Sequence, residues 1–86
     1  MVKIRYNDNQ IRASGHANYA EHGNDIVCAS VSILLYTLAT TGTMEKLADS
    51  TIVESQDKRA VRLVLDGLKL IAEEYPQHVE VMECHT

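Results

Sequence analysis

The chain of 86 residues has no Trp and no Phe, a single Pro and only two Cys. Without Phe or Trp, the core falls to Leu, Val and Ile. Two cysteines allow at most one disulfide, and the opening "MVKIRYNDNQ" lacks the apolar centre of a secretory signal. The expectation is therefore a cytoplasmic protein with reduced thiols. The longest mostly apolar run, "IVCASVSILLYTLA", is broken by Ser and Thr. It is also shorter than the roughly 18 residues a membrane span requires, so no membrane association is expected. No run of basic residues and no patch mixing cations with aromatics occurs. Eight Lys and Arg stand against twelve Asp and Glu, a net charge of −4. Direct nucleic-acid binding is not expected from such a chain, whereas an acidic surface tolerates a basic partner. Internal repeats, low-complexity tracts, CxxC and HxxxH spacings are all missing. A domain this small buries only about 60% of the surface its unfolded chain exposes. One domain over residues 1–86 is expected, and homodimerisation would enlarge its core.

What is present reads as a small α+β domain. "MVKIRYN" alternates, with Val2, Ile4 and Tyr6 on one face and Lys3 and Arg5 on the other, as in a half-buried strand. "NDN" at 7–9 signals a turn, and "QIRASGHA" pairs back as a hairpin. Asn18 to Asp25 is polar, contains Gly23 and reads as a loop. From Ile26 the period becomes helical: Val27, Val31, Leu34, Leu35 and Leu38 form a stripe, with Asp25 as N-cap and Gly42 as stop. "TMEKLADS" reads as a polar connection, and "TIVES" at 51–55 as a third strand. "RAVRLVL" has strand-like composition, but the spacing favours a helix. Arg59, Arg62, Asp66, Lys69 and Glu73 make a solvated stripe, and Val61, Val64, Leu65, Leu68, Ala72 and Tyr75 an apolar one. A helix from about Asp57 to Tyr75, stopped by Pro76, is preferred. "HVEVMECH" alternates as a last strand. The order β-β-α-β-α-β implies two helices packed on one mostly antiparallel sheet.

The chemistry concentrates in "GHANYAEHGNDIVCASVS", Gly15 to Ser32. With Asp25 as N-cap, Cys28 falls in the first helical turn, where unpaired backbone N–H groups and the helix dipole favour a thiolate. His16 ends the second strand, and the intervening loop can return it to Cys28. Such a pair supplies a nucleophile and a general acid/base, and the helix start supplies donors for an oxyanion. Gly15 leaves room for a substrate backbone, Ser32 lies one turn beyond Cys28, and Asp25 has a possible second task in orienting His16. The plain alternatives stand beside this. A cysteine on a helix rich in Val and Leu is more often a small buried residue. His16 can simply end a strand, and His22 is a rival base. Cys28, Cys84, His16 and His85 reach the four ligands zinc prefers, but without any metal-binding spacing, so no metal or cofactor is expected.

At these residues the sequence resembles a known family. "GHA", then "YA", a glycine, and "DIVCA" with its Cys twelve positions after the His resemble the signature of the ribosomal-processing cysteine proteases, the Prp or YsxB-like family. "GLKLIAEEYPQHVEV" resembles that family's closing helix, Tyr-Pro and last strand. The resemblance implies a cytoplasmic, homodimeric cysteine endopeptidase with a His16–Cys28 dyad. It implies a protein substrate: the N-terminal extension of a large-subunit ribosomal protein, cut where aromatic residues precede a small one, or a phage capsid or scaffold protein. It also implies that Ala17–Asn24 is a mobile cover over the site, a role that suits Gly23. The sequence departs from the family between its helices, where a longer hairpin is usual and only "DSTIVESQDKR" remains. Either "RAVRLV" is the second strand of that hairpin, or the strand is missing. A non-enzymatic module binding a ribosomal or phage protein is the rival reading. A thiol redox protein is a third, without a resolving cysteine near Cys28.

Overall fold

A computed structural model describes residues 1–15 and 24–84, with Asn24 and Asp25 defined by their backbone alone. The elements are β1 (Val2–Tyr6), β2 (Gln10–Ser14), α1 (Asn24–Ala39), β3 (Gly42–Lys46), β4 (Ser50–Ser55), α2 (Lys58–Glu74) and β5 (Val79–Glu83). The strands form one sheet in the order β3-β4-β2-β1-β5, with all pairings antiparallel except β1 with β5. Both helices cover one face. Val2, Ile4, Ile11, Val53 and Val79 point from the sheet into the core. Val27, Val31, Leu35 and Leu38 of α1 and Val61, Val64, Leu65 and Leu68 of α2 meet them there. These are the alternating and helical stripes expected from the sequence, and the fully buried residues are aliphatic apart from Ser50 and Ser55.

The observed order contains one strand more than expected. Residues 42–46, "GTMEK", are strand β3, and the segment expected to be a polar connection is therefore the first half of the β3–β4 hairpin. Only Met44 of that strand packs against the core, because β3 is an edge strand beside α1. An exposed edge carrying Glu and Lys gives no alternating signal. The segment between the helices is thus a complete β3–β4 hairpin. Its second strand is β4, and "RAVRLV" belongs to α2.

Gly42 does not stop α1. The helix ends at Ala39, and the hydroxyls of Thr40 and Thr41 donate to the carbonyls of Thr37 and Leu38 at 2.7 and 2.8 Å, satisfying groups a C-terminus leaves free. At α2 the expected start holds. Asp57 is the N-cap, and its carboxylate accepts from the amides of Arg59 and Ala60, each at 3.1 Å. One buried hydroxyl joins the two helix ends. Ser55 Oγ lies 2.7 Å from Thr41 Oγ1 and accepts from the Asp57 amide at 3.1 Å.

Candidate active site

The cleft of interest forms where β2 ends, α1 begins and the β3–β4 turn folds over. It holds about 250 Å³. Ser14 and Gly15 form one wall, Cys28 and Ser32 a second, and Leu47 to Thr51 a third, over an apolar floor that includes Val2 and Val31. A second hollow of about 200 Å³ shares Ser32, Leu35, Leu47 and Thr51 with the first and continues to Met44 and Tyr36. The two make one groove along the α1–β3 side. Its far end is closed by Lys46, whose ammonium donates to the Tyr36 hydroxyl at 2.6 Å and lies 4.8 Å from the ring centre. The hairpin turn and the Tyr36–Lys46 pair were missed from sequence. The turn residues "LADS" carried a signal, but with β3 read as a connection nothing directed them to this cleft.

Cys28 is a half-buried free thiol in the cleft wall. Because α1 begins at Asn24, Cys28 is in its second turn, not in the first as expected. The influence of a helix start is concentrated in the first turn. Helical side chains lean toward the N-terminus, however, which favours a sulfur directed back over that turn. Asp25 is inside the helix by its backbone, not at the N-cap. Its side chain lies outside the described residues, as do His16, His22, Gly23 and His85. Gly15 has φ +96°, the one positive φ among the described residues. A Cβ there would overlap the Met1 carbonyl oxygen and come within 3.2 Å of its carbon. Only glycine lets the chain leave β2 so close to β1, and His16 is the next residue in the sequence.

The second cysteine is elsewhere. The Cys84 amide donates to the Tyr6 carbonyl at the far end of β1, while Val2 at the near end lines the Cys28 cleft. The two ends are four residue steps apart along the strand, about 13 Å. That distance removes a metal site built on both thiols and a disulfide between them as the fold stands. Among the described residues no group of three or more His, Cys, Asp or Glu is placed to hold a metal ion, and no helix is long and apolar enough to cross a membrane.

A two-layer α+β domain with a half-buried free thiol in the wall of a groove has the parts of a thiol-dependent hydrolase. Residues 1–80 match the family described as cysteine protease Prp, and the chain belongs to that family of peptide hydrolases. It is 33% identical over 95 residues to the ribosomal processing cysteine protease Prp of Mycoplasma genitalium, covering 96% of both chains. It is 31% identical over 96 residues to that of Mycoplasma pneumoniae, covering 92% of this chain and 91% of the other. Its fold is that of the Staphylococcus aureus Prp crystal structure with a substrate peptide, at TM-score 0.74 and 22% identity, over 96% of this chain and 97% of that one. The S. aureus structure with a covalently linked product peptide superposes at TM-score 0.73 and 23% identity, with the same coverage.

Proposed function

We propose that this protein is a cysteine endopeptidase that removes an N-terminal extension from a large-subunit ribosomal protein, with Cys28 as nucleophile and His16 as general acid/base. The observation that carries it is the position of Cys28 in the groove wall, opposite the Gly15 turn that leads into His16. In the reaction, His16 takes the thiol proton as the sulfur attacks the scissile carbonyl. The tetrahedral oxyanion collapses to a thioester, and His16 passes the proton to the leaving amine. Water then attacks the thioester, releasing the acid and restoring the thiol. Backbone amides at the start of α1 supply the donors for the oxyanion. The S. aureus relative has been captured with a covalently linked product peptide, which supports an acyl-enzyme route here. The relatives' shared name as ribosomal processing proteases supports the substrate class. Ser32, on the same groove wall, is the candidate to bond the substrate backbone, with Asp25 and Gly23, close to His16 in sequence, as supporting residues.

The active form is a homodimer. Ile26 and Ile33 of α1 and Leu63 and Leu70 of α2, each pair seven residues apart, are 54–73% exposed on the outer side of the helix layer. A second copy laid on that face covers four large aliphatic side chains that one chain leaves in water. Sedimentation of Leu63→Lys/Leu70→Lys should show a monomer if this face joins the copies.

The deciding experiment is mass spectrometry of ribosomal protein N-termini in host cells with and without the protein, beside cleavage of a synthetic extension peptide. Cys28→Ala should abolish cleavage and His16→Ala nearly do so. Cleavage at the wild-type rate by either variant would remove the dyad. Unchanged ribosomal N-termini with an intact peptidase would redirect the search to phage structural proteins. A wild-type chain that binds the peptide without cutting it would favour a binding module.

A further inference from the structure

The two helices cover only one face of the sheet; the opposite face is open, and its composition is unusual for an acidic chain. Register brings Arg5 directly opposite Arg12 across the β1–β2 pair, and Lys3 is the next outward residue on β1. All three are exposed. None forms an ion pair among the described residues, and the one contact of this group is a long 3.5 Å hydrogen bond from Arg12 to Ser50. Like charges directly opposed on a sheet repel and cost stability. The two central strands of the sheet therefore hold three cations together on a chain of net charge −4, with no acid between them.

The surroundings say what fits there. Outward residues in the same row as the arginines are Ile52 on one side and Met82 on the other. Met82 is 48% exposed. A small depression of about 50 Å³ lies between β1 and β5, lined by Lys3, Arg5, Glu80 and Met82. Glu45 and Glu54 stand on the strands beyond Arg12, and Glu80 on the strand beyond Lys3. The cationic patch is thus about two strand spacings wide, roughly 10 Å, and bounded by carboxylates. A long polyanion such as RNA would have to cross those carboxylates, and among the described residues no aromatic ring on this face offers a base a stacking surface. A second copy of the chain related by a two-fold axis through the patch would set arginine against arginine. A short acidic segment with apolar neighbours meets none of these obstacles.

We propose that the open face of the sheet, centred on Lys3, Arg5 and Arg12, docks a short acidic peptide segment of a partner protein, its carboxylates on the guanidinium pair and its aliphatic side chains on Met82 and Ile52. The surface lies across the sheet from the Cys28 cleft and stands independently of the thiol chemistry. It was invisible in the sequence because the three cations come from two strands and form no run.

The test is fluorescence anisotropy of the full chain with a labelled ten-residue peptide of Asp, Glu and two Leu, its counterpart with Asn and Gln replacing the acids, and a ten-nucleotide oligouridylate. The acidic peptide should bind at low salt and lose affinity as NaCl rises; its neutral counterpart should not bind. Arg12→Gln should weaken binding about fivefold, and Arg5→Gln/Arg12→Gln at least tenfold. Because each variant removes a repulsion, the melting temperature should hold or rise by a few degrees. Unchanged affinity in the double variant, tighter binding of the oligouridylate, or a lower melting temperature in both variants would each overturn the proposal.

Discussion

Gly15→Ala tests the link between backbone geometry and the cleft. An L-residue held in the left-handed region costs about 1–2 kcal/mol. The added Cβ would also overlap the Met1 carbonyl oxygen and approach Val2 Cα to 3.5 Å. Relief requires the start of β1 to move. Val2 is buried, 7% exposed, and its amide bonds to the His78 carbonyl at 2.8 Å, so movement there strains a hydrogen bond contributing about 1 kcal/mol. The total is about 2–3 kcal/mol, against an expected stability of about 4–13 kcal/mol for a chain of this length. At about 4–8 °C per kcal/mol, the melting temperature should fall by about 8–24 °C. Circular dichroism against temperature and urea reads this directly. Gly67→Ala is the control, since it also adds one methyl to glycine. There the new Cβ meets the ends of a flexible, half-buried side chain, Leu34 Cδ1 at 3.1 Å and Cδ2 at 3.2 Å. The helix also gains about 1 kcal/mol of propensity. Gly67→Ala should melt within about 4 °C of the parent. If Gly15→Ala does the same, the claim that only glycine fits position 15 is wrong.

Three further outcomes follow from other parts of the structure. Ser55→Val should lose about 1–3 kcal/mol in urea unfolding, because it leaves the Thr41 hydroxyl and the Asp57 amide without the oxygen that joins them; an unchanged midpoint would show that this junction is dispensable. Leu68→Ala empties a fully buried site between α2 and the sheet and should cost about 2–5 kcal/mol by the same measurement. Alkylation by iodoacetamide at pH 7, followed by peptide mass spectrometry, should label Cys28 in the cleft well before Cys84 at the end of β5; equal slow labelling would count against a nucleophilic role.

Much of the fold was legible in the sequence where a residue's burial follows its spacing. The Val2–Ile4 alternation and the Val61–Leu68 stripe face the core as their periods imply, and α2 spans Lys58–Glu74, close to the bounds its stripes set. Strand β3 escaped because its order depends on β4 and α1 and not on its own residues: Met44 is its single core contact. The end of α1 was misplaced for a related reason. Gly42 has the sequence signature of a stop, yet the position needs glycine because a side chain would strike the Glu54 carbonyl on the neighbouring strand. Cys28 was recognised through the residues around it, while the walls that make a cleft of its surroundings, Leu47 to Thr51, come from a hairpin about twenty residues away in the chain.

The β1–β2 register joins the two functional surfaces. Ile4 pairs with Ala13 and Arg5 with Arg12, so inward residues floor the core and cleft while outward residues carry the cations. A slip of one residue would turn Arg12 inward and Ala13 outward, closing the cleft and dispersing the patch together. Backbone changes at this pair therefore cannot act on one surface alone. Gly15→Ala, which displaces the start of β1, should weaken acidic-peptide binding as well as peptidase activity below its own melting temperature. Arg12→Gln, which changes a side chain and leaves the register intact, should affect the peptide alone. A Gly15→Ala protein that is folded, inactive and still binds the acidic peptide with parental affinity would show that the two faces are not coupled through the strand pair.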